Sequence, residues 1–290
     1  MKLTVIHPAI YITYYMILVL FAFIYNNPYY LITFLICIVA LIILQGIGNE
    51  LKTTLKFFVP MSVIIILLNP VVSHVGTTKI YIIGNYFITL EALTYGIIMS
   101  LSLLIILLTF TSYNKTVSYQ EMLYIFSKRF PNISMVIIMA LRFIPLFNYR
   151  LNEVNKISKF NEKQYSNTNK NSMVEKISKT ANLLVVVVSW SLEESMITAK
   201  SMKARGYGIK ERTSYLSYKF HKIDYMLTGF ISFSLLICII GLTQGFGRIE
   251  IYPTLMFSDS ESTVNIYYLS LLFLLLPLIY LEIKEKLIWE

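Results

Sequence analysis

The feature that most narrows how this 290-residue chain can fold is its set of six long apolar runs. They fall at about Ala9–Tyr25, Tyr30–Ile47, Phe57–Val72, Thr89–Phe110, Met226–Leu242 and Ile266–Leu281. About 20 apolar residues in a helix cross a bilayer, and helices satisfy their own backbone polar groups there. Turn formers separate the runs: Asn26-Asn27-Pro28 follows the first and Gly48-Asn49-Glu50 the second. Pro60 and Pro70 interrupt the third run, and Pro277 lies near the end of the sixth. Composition agrees, since 14% of residues are charged against about 25% in soluble domains. Mean hydropathy is +0.65. The expected fold is an all-α polytopic membrane protein with about six transmembrane helices.

A net charge of +9 raises nucleic acid as a partner, but the placement of the charge argues against it. Eighteen of the 25 lysines and arginines lie between Lys115 and Lys222, the one long stretch without a clean span. Cations gather this way on the cytoplasmic side of a membrane, facing anionic lipid headgroups. The opposite loops are poor in cations: Asn26–Tyr29 has none, Pro70–Asn85 has Lys79, and Gln244–Thr263 sets Arg248 against Glu250, Asp259 and Glu261. Both termini are therefore expected in the cytoplasm, which an even number of spans allows. The chain divides into residues 1–112 (four spans), 113–224 (a cytoplasmic or interfacial helical region) and 225–290 (two spans). Cys37 and Cys238 each sit inside an apolar run, so no disulfide framework is implied. Lys2 precedes an apolar run with no small-residue cleavage site, which reads as a retained span and not a removable signal peptide.

Within the middle region, Tyr119–Phe130 reads as a short amphipathic helix ending in Ser127-Lys128-Arg129. Ile133–Arg150 is apolar but holds Arg142 and Pro145, so it is expected to be half buried and not to span. That helix should continue to about Phe160 and give way to a polar loop over Asn161–Asn171. A longer helix follows. Apolar or small residues recur at Val174, Ile177, Ala181, Leu184, Val188, Leu192, Met196, Ala199 and Met202, steps of three or four that mark one helical face. No proline interrupts it, and Gly206 and Gly208 supply a stop. Met173 to Arg205 would span roughly 50 Å at about 1.5 Å per residue. Such a rod exceeds a small soluble core, so it should run along or out of a membrane surface. Arg205, between Ala204 and Gly206, puts a cation on a tip narrow enough to enter another protein's groove.

Catalytic signatures are missing from the sequence. No Gly-x-x-x-x-Gly-Lys-[Ser/Thr] run occurs, so the chain has no P-loop for ATP. Gly241–Gly247 is glycine-rich but follows a span, and reads as a flexible extracytoplasmic turn. His7, His74 and His221 lie far apart without metal-site spacing, and read as scattered surface histidines. Glu193-Glu194 would resemble intramembrane CAAX-type proteases if an arginine followed four residues on, but that position is Thr198. The pair reads instead as solvated carboxylates opposing Lys200 and Lys203. A self-sufficient permease or channel, the main alternative, would need a polar path through the spans, and only Glu91 stands near a membrane edge.

Several motifs occur in a fixed order. They are His7-Pro8, Leu68-Asn69-Pro70, Gly76, Thr89-Leu90-Glu91-Ala92 with Tyr95-Gly96, and Leu141-Arg142-Phe143-Ile144-Pro145. Ser191-Leu192-Glu193-Glu194-Ser195, Ala199 to Gly208 and Arg212-Thr213 complete the series. Together they resemble the transmembrane T component of energy-coupling factor transporters over nearly the whole chain. The resemblance implies a bacterial plasma-membrane protein that joins two cytosolic ABC ATPase subunits to a separate membrane substrate-binding (S) subunit, for vitamin or transition-metal-ion uptake. It implies no cofactor in this chain, ATP being bound by the partners, and no nucleic acid. Two long coupling helices would cross in an X, with their tips docked in the ATPases. Ala204, Arg205 and Gly206 match the second docking motif, and Glu193, Glu194 and Arg142 would support the helices. The first motif falls at Ile157–Glu162, where Lys159 holds the place of a cation without the flat fork of arginine. Unequal engagement of the two ATPases would follow.

Overall fold

The computed structural model describes residues 6–73, 76–83, 86–165, 173–209, 218–247, 249 and 266–289. The chain divides into two compact units, Met1–Met122 with Tyr218–Glu290, and Leu123–Ser217. The architecture is all-α and membrane-type, apart from one two-stranded hairpin.

The first unit opens with α1 (Pro8–Ile24) and α2 (Pro28–Leu44). Each begins with proline, whose missing N–H has no intrahelical partner at that position anyway. The residue before each proline caps the helix: His7 Nδ1 accepts from the Ala9 N–H at 3.2 Å and Asn27 Oδ1 from the Tyr29 N–H at 3.0 Å. The buried faces recur every three or four residues, through Tyr14, Leu18 and Phe21 on α1 and Leu31, Phe34, Ile38 and Leu41 on α2. α3 (Gly48–Val72) starts at the glycine expected to end the previous run, and continues through Pro60 and Pro70. A proline removes one helical bond, but leaving the chain in an apolar medium would strand many more. α4 (Leu90–Thr116) packs on α1, α2 and α3. α8 (Lys222–Thr243) and α9 (Ile266–Trp289) pack together, and α9 also packs on α2. Leu271 and Leu274 of α9 join Ile105 and Leu108 of α4 in the same core as α1 and α2.

Two clusters fix the ends of this unit. At one, the Tyr15 hydroxyl meets Ser112 Oγ at 2.8 Å and Thr116 Oγ1 at 3.0 Å. Gln45 accepts from Ser112 and donates to Thr116 and to Glu282, each within 3.1 Å. Four helices are thereby tied by buried and half-buried side chains. At the other, Tyr25 stacks on Phe21 and Tyr30, while the Gly247 carbonyl accepts from the Asn26 and Asn27 N–H groups at 3.1 and 3.2 Å. The glycine-rich turn is thus pinned, contrary to the expectation of a flexible one. Its glycines serve positive φ at Gly245 and Gly247 (+89° and +81°) and close packing against the Tyr25 ring.

β1 (Lys79–Ile83) and β2 (Tyr86–Thr89) form an antiparallel hairpin where the sequence reading has only a loop. Its signal was present, as Gly84-Asn85 stands between two runs of β-branched and aromatic residues.

The second unit holds most of α5 (Tyr119–Arg129), α6 (Pro131–Tyr165) and α7 (Met173–Ala204). Ser118 and Glu121 cap α5 reciprocally, at 2.9 and 3.3 Å. α6 continues five residues past Phe160, since Glu162, Lys163 and Gln164 are polar yet good helix formers. The rest of the expected loop, 166–172, lies outside the described residues, as do His74 and Arg212-Thr213. The expectation that Ile133–Arg150 is half buried fails, because Ser134 is its one buried residue. Between Pro131 and Tyr149 Arg142 is the sole charged residue. Among the described residues, five helices are long and apolar enough to cross a membrane: α3, α4, α6 over Pro131–Ile157, α8 and α9. α1 and α2 are apolar helices of 17 residues, about 25 Å at 1.5 Å per residue.

Candidate functional site

α7 is one unbroken helix of 32 residues, as its periodicity and lack of proline require. Its end is a left-handed glycine turn. The Gly206 N–H reaches the Lys203 carbonyl and the Tyr207 N–H the Met202 carbonyl, both at 3.1 Å. Gly206 adopts φ +77°, which an L side chain resists. The two crossed bonds absorb the last carbonyls and leave Arg205 as the C-cap. Ala204 and Arg205 are both exposed. Among the described residues no hydrogen bond or ion pair engages the Arg205 guanidinium. Lys159 lies within α6, and its side chain is outside the described set.

α6 and α7 pack along complementary stripes. The inward positions of α6 are Met135, Met139, Phe143, Phe147, Arg150 and Val154; those of α7 are Trp190, Glu194, Thr198 and Met202. Arg150 Nη2 donates to Glu194 Oε2 at 3.4 Å, and its guanidinium carbon lies 5.8 Å from the Trp190 ring centroid. Both side chains of the pair are about a third exposed (32% and 29%). Solvent screening therefore holds the ion pair to about 0.5 kcal/mol, with a similar contribution from the cation–π contact. Glu194 is thus paired across helices, and the expected opposition to Lys200 and Lys203 gives way to this geometry. Glu193, one residue earlier, faces outward and exposed, as does Arg142 on α6. Of the three residues expected to support the helices, the contact between them recruits Glu194. Arg150 was missed, although an arginine falling three residues after Phe147 and four before Val154 occupies a stripe position that apolar spacing reserves for contact.

Beyond the Arg150 contact the helices part. Met135, Met139 and Phe143 face Thr198, Ala199 and Met202 across a groove of about 740 Å³. Of the apolar stripe read from the α7 sequence, Ala199 and Met202 line this groove. Ile177, Leu184, Val188, Leu192 and Met196 are each more than half exposed. A stripe that large left uncovered marks contact with lipid or another protein.

The other motif residues build the first unit. The Glu91 carboxylate is fully buried and accepts from the Thr77 and Thr78 backbone N–H groups and both threonine hydroxyls, at 2.7–3.2 Å. Gly76 must lack a side chain, since a Cβ there would stand 2.7 Å from Glu91 Oε2. Glu91 therefore ties the hairpin to the start of α4 and does not line a polar path. Asn69 donates to the Ala92 carbonyl at 2.8 Å, and Gly96 lets the α3 backbone approach at Ile66. His7 is buried and stacks on Phe220 at 4.0 Å, which corrects its reading as a surface histidine. Its backbone N–H donates to Asp224 Oδ1 at 3.2 Å, and Asp224 Oδ2 accepts from the His221 N–H at 2.8 Å. His221 itself is exposed.

A bundle of apolar helices joined in sequence to a pair of long, largely uncovered helices, one ending in an exposed arginine turn, defines a polytopic membrane protein. The sequence matches the family model of CbiQ, cobalt transport protein, over residues 2–215. The chain belongs to that family, which is a transport family and not a family of enzymes. No curated protein matches the chain.

Proposed function

We propose that the chain is the membrane-embedded coupling subunit of an energy-coupling factor importer in the bacterial plasma membrane. It takes force from two cytosolic ABC ATPases, which bind the ATP, and passes it to a membrane substrate-binding subunit that selects a vitamin or a transition-metal ion such as cobalt. The observation that carries this reading is the unbroken α7 rod ending in an exposed Arg205 on a glycine turn. A planar guanidinium on a narrow tip forms short, charge-assisted bonds to a carboxylate in a receiving groove. Ala204 and Gly206 add no bulk around it. Lys159 on α6 would make the corresponding contact with the second ATPase, as a point charge. The uncovered α7 stripe from Ile177 to Met196 supplies an apolar face for the substrate-binding subunit or the bilayer surface.

Cytoplasmic termini are part of the same proposal. They are supported by the gathering of the cations between Lys115 and Lys222, and by the bond that joins His7, before α1, to Asp224 at the start of α8.

The test is Arg205→Glu in the co-expressed complex. Loss of one charge-assisted bond worth about 1.5–3 kcal/mol weakens ATPase binding roughly 10- to 150-fold. Recovery of the ATPases with the membrane subunit should collapse, and uptake with it. Wild-type recovery together with wild-type uptake would overturn the proposal.

A further inference from the structure

We propose that Arg150 is the positioning residue that sets the crossing of α6 and α7, and so controls how wide the groove beyond it opens. Here the two stripes exchange more than apolar contact. Its guanidinium pairs with Glu194 at 3.4 Å and lies over Trp190 at 5.8 Å, one helical turn earlier on α7. On one side of this point stands the groove of about 740 Å³, floored by Met135, Met139 and Met202. Methionine side chains are flexible and unbranched, so such a floor specifies no single separation. The Arg150 contact adds the direction that methionines do not. A guanidinium suits that task, since one planar group can stack on an indole and donate to a carboxylate at once. In the coupling reading Arg150 becomes the pivot of the lever whose tip is Arg205. The geometric claim stands without that reading, and only its consequence for transport rests on it.

The experiment uses the full chain in lipid nanodiscs, with Cys37→Ser and Cys238→Ser to clear native thiols. Spin labels at Ile138→Cys and Lys200→Cys, both exposed positions, report the α6–α7 distance by pulsed electron resonance. Arg150→Gln and Glu194→Arg should each broaden the distance distribution roughly twofold, as one held state becomes several. The exchanged pair Arg150→Glu with Glu194→Arg restores opposite charges and keeps an arginine one turn from Trp190, and should narrow the distribution again. A distribution unmoved by both single changes, or an exchanged pair as broad as the singles, overturns the proposal. A variant lost to misfolding would show as failed nanodisc recovery, and the exchanged pair then decides.

In the reconstituted complex, Arg150→Gln should lower substrate imported per ATP hydrolysed by roughly fivefold while ATPase recovery holds, a coupling of ordinary allosteric size. Failure of the coupling reading looks different: ATPase recovery would ignore Arg205→Glu while the spin-label distances still answer to Arg150.

Discussion

At the scale of single residues, the tip of α7 shows how a glycine turn presents a cation. Gly206 holds φ +77° so that Tyr207 and Gly206 can return their N–H groups to Met202 and Lys203. Arg205 is then presented by the turn itself and needs no side-chain support. Gly206→Ala puts a Cβ on a left-handed residue, which costs roughly 1 kcal/mol or more. The new Cβ would also sit 3.2 Å from Ile209 Cδ1. The last turn should fray, with amide exchange at Arg205–Tyr207 accelerated about fivefold and ATPase recovery reduced by a comparable factor. Exchange at the wild-type rate would show that the turn does not depend on glycine. Glu91 is the opposite case. Its burial looks like a functional charge in the membrane, yet four donors from Thr77 and Thr78 account for it.

At the scale of elements, α3 and α4 explain a motif that sequence could quote but not interpret. Asn69 and Gly96 meet where the helices come closest, with Asn69 bonded to the Ala92 carbonyl and Gly96 clearing Ile66. Gly96→Leu would drive its side chain into the Ile66 backbone, 3.2 Å from the nearest possible Cβ. Overpacking of this kind costs roughly 1–3 kcal/mol. The melting temperature of the purified protein in detergent should fall by several degrees, while Gly229→Leu, where a Cβ meets nothing within 4 Å, should leave it nearly unchanged. Equal melting for the two variants would refute the crossing as the cause. The hairpin β1–β2 belongs to the same assembly, since the carboxylate that anchors it opens α4.

At the scale of the whole molecule, the topology turns on α6. Its length and apolarity over Pro131–Ile157 would admit a membrane crossing. Arg142, though exposed, stands mid-helix and would then face lipid, a placement that costs several kcal/mol unless the charge is paired or reaches water. The coupling proposal keeps all of α6 on the cytoplasmic side. Cysteines placed at Asn132 and at Lys156, its two ends, should therefore both resist an impermeant maleimide in intact cells and both react after permeabilisation. Labelling of one from outside would make α6 a span and place the described ends of the chain on opposite faces.

What the sequence determined by itself is whatever depends on neighbours along the chain. Apolar runs, the three-to-four-residue period of α7, the prolines at Pro8 and Pro28 and the glycine stop at Gly206 are local signals, and the membrane fold with its long helix follows from them. Even the hairpin was legible, in Gly84-Asn85 between two strand-forming runs. Tertiary structure alone decided which partners meet. It set Arg150 against Glu194, 44 positions apart, placed Asp224 on the backbone of His7, and buried Glu91 under a loop. It also left the α7 stripe from Ile177 to Met196 uncovered, which periodicity alone does not decide. The physical reason is that a period says which residues share a side of a helix, whereas what that side touches depends on elements brought together only by folding.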